Sequence, residues 1–347
     1  MNTYFLEQLI ASPNILPANI SPVDLAPCVL TIGNFDGVHL GHQAMLAQVQ
    51  KIAQTKNLGS AVMIFEPQPR EFFAPDKAPA RLTTLAEKQA LLAEYGVETL
   101  IVAGFDTEFR SLSAQAFADI LALRLNVQAL VLGDDFKFGH DRTGDSQFLR
   151  NYGLDVTNLH TITDSSDEAA RISSTRVRDL LLAGDIQAAN RLLGREYAIT
   201  GVVVRGDQIG RTIDFPTANI DLQRIKPALH GIFAVDVVSL DNDGNVIADG
   251  LTLSAINGQT GIAGLRANSL FGTANIGTRP SVDKKQNWRL EVHFPELQAD
   301  LYGLTLQVRF LHYLHGERRY DGLEALKTGI HNDVRELIEW RANQPTH

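Results

Sequence analysis

Cysteine is almost missing from this chain: of 347 residues, Cys28 alone carries a thiol. An internal disulfide and a cysteine-based zinc cage are both excluded, and a reducing cytoplasm is the expected setting. Long apolar runs are missing too, and none approaches the roughly 20 residues that a membrane-spanning helix requires. The opening residues, MNTYFLEQLIASPN, have no basic flank and no long apolar core, so no secretory leader is expected. Basic charge is scarce. Lys and Arg number 31 against 40 Asp and Glu, a net charge of −9. Residues 1–185 hold 14 basic and 22 acidic side chains, and residues 186–347 hold 17 and 18. Neither half offers the basic surface of a nucleic-acid binder. No G-x-x-x-x-G-K-[ST] occurs, which excludes a Walker-type nucleotide site. Phosphates, if bound, must be held by backbone amides, a few cations and a metal ion.

What is present falls into two rhythms. In residues 1–185, apolar runs at CVLTI (28–32), AVMIF (61–65), TLIVAGF (99–105) and ALVLG (129–133) alternate with amphipathic stretches such as HQAMLAQVQKIAQ (42–54) and SAQAFADILALRL (113–125). Strand–helix alternation of this kind predicts a parallel sheet covered on both faces. In residues 186–347 the pattern changes to strands at AITGVVVRG (198–206), GIFAVDVVSL (231–240), WRLEVHF (288–294) and LTLQVRFLHYL (304–314), separated by turn-forming residues. That pattern suits an antiparallel barrel or sandwich. A terminal helix is expected where Leu323, Leu326, Ile330, Val334 and Ile338 recur at spacings of three and four.

GNFDGVHLGH (33–42) follows the first main strand, where ligands of parallel sheets bind. A helix beginning near Gly41 offers unpaired N–H groups and a positive dipole end. His39 and His42 can donate hydrogen bonds to phosphate oxygens as negative charge builds. Their plainer role is to stand exposed, or to cap, at a helix start. ISSTRVR (172–178) points the same way, with Ser174 or Thr175 as N-cap and Arg176 and Arg178 in the first turn or so. The alternative for this stretch is a cap followed by solvent-facing arginines.

In the second half, GDQIGRTIDFPTANI (206–220) is dense in turn formers. Gly206 and Gly210 could let a loop lie over phosphates, while Thr217 and Asn219 offer hard oxygen ligands suited to Mg²⁺. An ordinary barrel turn, with Thr217 and Asn219 bonded to their own backbone, reads equally well from the chemistry alone.

Taken in order, GNFDGVHLGHQ, FEPQPREFF (65–73), RLTTLAEK (81–88), FDTEFRSLSAQAF (105–117), GDDFKFG (133–139) and ISSTRVR resemble the N-terminal module of the bacterial bifunctional riboflavin kinase/FAD synthetase family. GRTIDFPTAN, GTANIGTRPSV (272–282), LEVHF (290–294), DLYG (300–303) and ERRYDGLEAL (317–326) resemble its riboflavin kinase module. The resemblance implies a Rossmann-like α/β nucleotidyltransferase domain over residues 1–185 and a β-barrel kinase domain with a terminal helix over residues 186–347. It implies that riboflavin and ATP give FMN in the second domain, and that FMN and ATP give FAD and pyrophosphate in the first, both with Mg²⁺. ATP, riboflavin, FMN and FAD are then substrates and products, with no nucleic-acid or membrane partner.

By the same resemblance, Asn34, His39 and His42 meet phosphates in the adenylyl transition state. Gly33, Phe35, Gly41, Ser174, Thr175 and Arg178 serve the nucleotide, and Pro67, Pro69 and Asp135 the flavin. In the kinase, Gly206, Gly210 and Arg211 serve ATP, Thr217 and Asn219 the metal, and Glu291 is the general base. Four features depart from the family pattern. Gln68 replaces the histidine of F-E-P-H-P, Asp214 stands in place of glycine, residues 248–272 are long, and HYLHGERRY lacks the usual Leu-Arg pair. Glutamine retains hydrogen bonding but carries no proton charge, so reduced or retuned adenylylation is expected. Retention of a single activity, or a flavin-binding sensor without turnover, are the rival readings.

Overall fold

The computed structural model describes residues 1–10, 25–160, 162–164, 167–206, 215–247, 269–279, 287–295, 297 and 299–344. They form two compact units, one of residues 1–79 and 85–173, the other of residues 80–84 and 174–347.

The first unit is built on a six-stranded parallel sheet. Its strands are β1 (Asn2–Phe5), β2 (Cys28–Ile32), β3 (Gly59–Glu66), β4 (Thr99–Gly104), β5 (Val127–Gly133) and β6 (Asp155–Leu159), in the order β1-β4-β3-β2-β5-β6. The four apolar runs are the four central strands. β1 and β6 are edges with mostly half-buried or exposed side chains, and an edge strand needs no continuous apolar run to pair. Alternate residues feed opposite faces: Leu30, Met63, Ile101 and Leu130 join one core, and Val62, Ile64, Leu100 and Val102 join another. α1 (Leu40–Lys56) covers the second face with Leu46, Val49 and Ala53 at helical spacing.

The second unit opens with α3 (Ser174–Leu182) and α4 (Ile186–Leu193), so numbered because the short α2 (Pro69–Phe73) precedes them. Six antiparallel strands follow: β7 (Ala198–Val204), β8 (Thr217–Ile220), β9 (Gly231–Leu240), β10 (Leu270–Arg279), β11 (Asn287–His293) and β12 (Thr305–His315). They close into a barrel in the order β7-β8-β11-β10-β9-β12, which resolves barrel against sandwich. β8 lies in a segment dense in turn formers that also suited a barrel turn, and β10 carries the GTANIG residues of the GTANIGTRPSV segment. They alternate polar-out with apolar-in: Ala218, Ile220, Ala274 and Ile276 are buried in the barrel.

α5 (Leu323–Ala342) is the expected terminal helix, with a rotated buried seam. Gly329, Asp333 and Leu337 are buried, while Leu323 and Ile338 are exposed. The cause is polar and aromatic. Asp333 bonds His315 at 2.7 Å, and a Cβ at Gly329 would overlap the Tyr320 ring. Trp340 stacks on His312 with ring centroids 5.4 Å apart.

Candidate functional site

β2 lies between β3 and β5, so the chain turns to opposite sides of it and leaves a switch point at the carboxyl ends of β2 and β5. Gly33 to His42 occupies that point. Phe35, Gly37 and Val38 take φ of 48°, 80° and 40°. A β-branched residue in the left-handed region is strained by about 1–2 kcal/mol, and complete burial of Val38 and near-complete burial of Phe35 hold the turn in place.

His39 is the N-cap of α1, and its Nδ1 accepts the His42 N–H at 3.4 Å. The ring proton of neutral His39 is therefore on Nε2. The His39 and His42 rings stack at 3.7 Å and 16°, with Phe35 against His42 at 4.8 Å. Gly41 leaves room for this stack, since a Cβ there would lie 3.2 Å from the His39 ring and press on it. The first turn of α1 contains no acidic residue to oppose an anion. Asn34 is exposed in the same turn.

The neighbouring strands end at the same edge. After β3 come Pro67, exposed and joined to Glu66 by a cis peptide, then Gln68 as N-cap and Pro69 as the first residue of α2. Gln68 is only 5% exposed, and its Nε2 has no hydrogen-bond partner among the described residues. After β5 comes Asp135, paired with Arg171 at 3.4 Å.

α3 begins at Ser174, which leaves Ser173 as the flanking residue where Ser174 or Thr175 was expected to cap. Assigned helix ends of this kind carry a margin of a residue. Arg178 donates through Nε to the Ala80 carbonyl. The strap of residues 80–84 is also held by Tyr197, whose hydroxyl donates to the Leu82 carbonyl at 3.1 Å, and by Arg224 on the same carbonyl at 3.2 Å.

On the outer face of the barrel, beneath α5, lies a cavity of about 270 Å³. Register builds it. β11 is central, with Glu291 opposite Asn219 of β8 and Asn275 of β10, and His293 opposite Thr217 and Thr273. Glu291 makes no hydrogen bond or ion pair with any described residue, and Thr217 and Asn219 make no bond to their own backbone. Asn275 Oδ1 is buried with no partner among the described residues. Gly206 lies against the Asn219 carboxamide so closely that a Cβ would overlap it.

His293 donates from Nδ1 to the Pro216 carbonyl at 3.0 Å. Burial holds its pKa below the usual histidine range, so at neutral pH Nε2 is a bare acceptor. His315 and Asp333 form a wall of the cavity. Gly210, Arg211, Asp214 and residues 248–268 lie outside the described residues, whereas residues 270–272 begin β10.

Sequence reasoning missed Asn275, His293, His315 and Asp333 as site residues. For the first two the signal was alternation along the GTANIG and LEVHF segments, which puts both on the face of Glu291. For His315 and Asp333, 18 residues apart in sequence, no local signal exists.

An α/β unit with paired imidazoles at its switch point, followed by a closed barrel whose outer cavity holds a carboxylate unpaired among the described residues, is a two-module architecture. Each module has known counterparts. The FAD synthetase family matches residues 21–176, and the riboflavin kinase family matches residues 193–341. The chain is 43% identical over 320 residues to the bifunctional riboflavin kinase/FMN adenylyltransferase of Escherichia coli (strain K12), covering 91% of this chain and 93% of the relative. It is 43% identical over 312 residues to the protein of that name from Pseudomonas fluorescens, covering 88% and 91%. A solved structure titled a macrolide-efflux protein from Streptococcus pneumoniae aligns over 99% of both chains with a TM-score of 0.74 and 26% identity. Among the described residues here, no helix is long and apolar enough to cross a membrane. The chain belongs to the bifunctional riboflavin kinase/FMN adenylyltransferase family.

Proposed function

We propose that the barrel unit transfers the γ-phosphoryl group of ATP to riboflavin, giving FMN and ADP. The parallel-sheet unit joins FMN to the AMP part of ATP, releasing pyrophosphate. The observation that carries this reading is the row Asn219–Glu291–Asn275: a carboxylate with no ion pair among the described residues stands between two carboxamides on neighbouring strands, and Glu291 and Asn275 line the cavity. A carboxylate without an ion pair is available as a base.

In the kinase, Glu291 takes the proton from the riboflavin 5′-hydroxyl as that oxygen attacks the γ-phosphorus. Thr217 and Asn219 fit Mg²⁺, since their oxygens are hard donors with no competing bonds to their own backbone. The metal, when bound, supplies charge neutralisation on the phosphates. Gly206 lets the backbone approach Asn219 and, with Gly210 and Arg211, serves ATP.

In the adenylyltransferase, His39 Nε2 and the imidazole of His42 donate to phosphate oxygens whose charge grows as pyrophosphate leaves. The stacked rings and the N-cap bond pre-set one imidazole before substrate arrives, which lowers the cost of ordering it in the transition state. Asn34, Gly33, Phe35 and Gly41 complete that turn. Ser174, Thr175 and Arg178 serve the nucleotide, and Pro67, Pro69 and Asp135 the flavin. The activities divide at about residue 185. The setting is the cytoplasm, in keeping with a buried Cys28 thiol whose pKa is pushed up to about 12.

The test is a time course of the purified chain with riboflavin, ATP and Mg²⁺, separating the three flavins by chromatography. FMN that rises and then gives way to FAD supports both activities. FMN that never becomes FAD leaves the kinase alone, with Gln68 marking the lost site. No conversion at all leaves a flavin-binding protein.

A further inference from the structure

Resting on the kinase reading above, the barrel cavity has two sides that the strand register keeps apart. Glu291 sits on the middle strand, β11. On one side is β8, with Thr217, Asn219 and the close approach of Gly206. That is the side for phosphates and their cation. On the other side is β10, where Asn275 stands directly across from Glu291.

Asn275 Oδ1 is buried and meets no donor among the described residues. A buried acceptor left unmet is costly, and natural folds rarely keep one without a use. Its cross-strand neighbour cannot satisfy it, because an ionised carboxylate only accepts. The oxygens of a triphosphate cannot either. A donor that arrives with the other substrate, on the β10 side of the base, would meet it.

We infer that Asn275 is a specificity residue of the kinase site: its carboxamide oxygen accepts a hydrogen bond from a hydroxyl of the substrate's polyol chain. That bond sets the chain beside Glu291, so that the terminal hydroxyl is the one deprotonated. Asn275 thereby reads the ribityl chain rather than the ring system. A flavin without hydroxyls would gain nothing from it.

The experiment uses the full chain and the variants Asn275→Leu, which removes the acceptor at similar size, and Asn275→Asp, which retains one. Initial rates of riboflavin phosphorylation give KM for riboflavin and for ATP. Inhibition by lumiflavin, which bears a methyl group in place of the ribityl chain, gives its Ki at the same site. FMN adenylylation in each variant reports that the chain is folded. The expected result for Asn275→Leu is a riboflavin KM raised about tenfold, the loss of one neutral hydrogen bond. Its ATP KM and lumiflavin Ki should stay at the wild-type level, and Asn275→Asp should fall closer to wild type than Asn275→Leu. Unchanged riboflavin KM in Asn275→Leu would overturn the inference, as would an equal rise in riboflavin KM and lumiflavin Ki, which marks a loss of cavity shape alone. In both cases wild-type turnover leaves the kinase reading standing. A wild-type chain that phosphorylates no riboflavin would overturn the kinase reading and this inference together.

Discussion

The parallel-sheet site and the barrel site, both proposed to hold phosphate without a P-loop, are built in opposite ways. The first is a single stretch of ten residues, in which a strained turn, an N-cap and a helix start put two imidazoles in a stack. The second has no such stretch. Its cavity takes Thr217 and Glu291 from two strands, Asn275 from a third and Asp333 from α5. A site made by local backbone geometry fails when a turn is disturbed. A site made by register fails when one side chain in the row is lost, and its neighbours stay in place.

The sharpest way to break the comparison is to silence one site and leave the other running. Glu291→Gln retains shape and hydrogen bonding but removes the base, so riboflavin phosphorylation should fall by about 100-fold or more. FMN adenylylation, assayed separately, should be untouched; a parallel loss in both would refute independent sites. The reciprocal change is His39→Ala with His42→Ala. It should reduce FAD formation from FMN by roughly 100- to 1,000-fold, with FMN formation from riboflavin preserved.

A smaller effect sharpens the local character of each site. Gly206→Ala would push a methyl group into the Asn219 carboxamide. A displaced metal-ligand support typically weakens metal affinity by roughly tenfold or more, so the Mg²⁺ concentration for half-maximal kinase rate should rise while adenylylation retains its own Mg²⁺ demand.

The smallest effect tests how α5 is held over the barrel. His315 sends Nδ1–H to the Gly316 carbonyl at 2.8 Å and faces Asp333 through Nε2 at 2.7 Å. A proton must lie in that second contact, on the imidazole or on the carboxyl. Burial pushes the Asp333 carboxyl above its usual range, with His315 opposing; Glu336, Arg318 and Tyr320 are the other charged or titratable groups around it. A carboxyl raised in the fold contributes stability that is full below its unfolded value and lost as pH rises through its folded value. Thermal melts from acid toward neutral pH should therefore show wild type losing stability relative to Asp333→Asn. Equal slopes would remove the pair from α5 docking.

How much of this was readable differs between the two units for the same reason. CVLTI, AVMIF, TLIVAGF and ALVLG announced the four central strands because buried parallel strands are continuous apolar runs. β1 and β6 did not announce themselves, since an edge strand gets its pairing from a neighbour. The helix start at His39, Gly41 and His42 was readable from their spacing together with the strand before them. Thr217 and Asn219 could be read from their chemistry as hard oxygen donors but no better than as an ordinary turn, Glu291 was singled out only through a family motif, and for Asn275 alternation gave the face while register alone set it opposite Glu291. The seam of α5 was misread by one position, since apolar spacing could not anticipate an aspartate buried against a distant histidine.

By itself the sequence determined the two rhythms, the exclusion of disulfides and cysteine–zinc cages, the absence of a Walker motif, and the local chemistry of the Gly33–His42 turn. These depend on composition and on contacts a few residues apart. Tertiary structure alone decided barrel closure, the row of Asn219, Glu291 and Asn275, the docking of residues 80–84 beneath Tyr197 and Arg224, and the burial of Asp333. Each joins residues far apart along the chain, and which partners meet is set by strand register and packing, quantities that no local pattern of residues encodes.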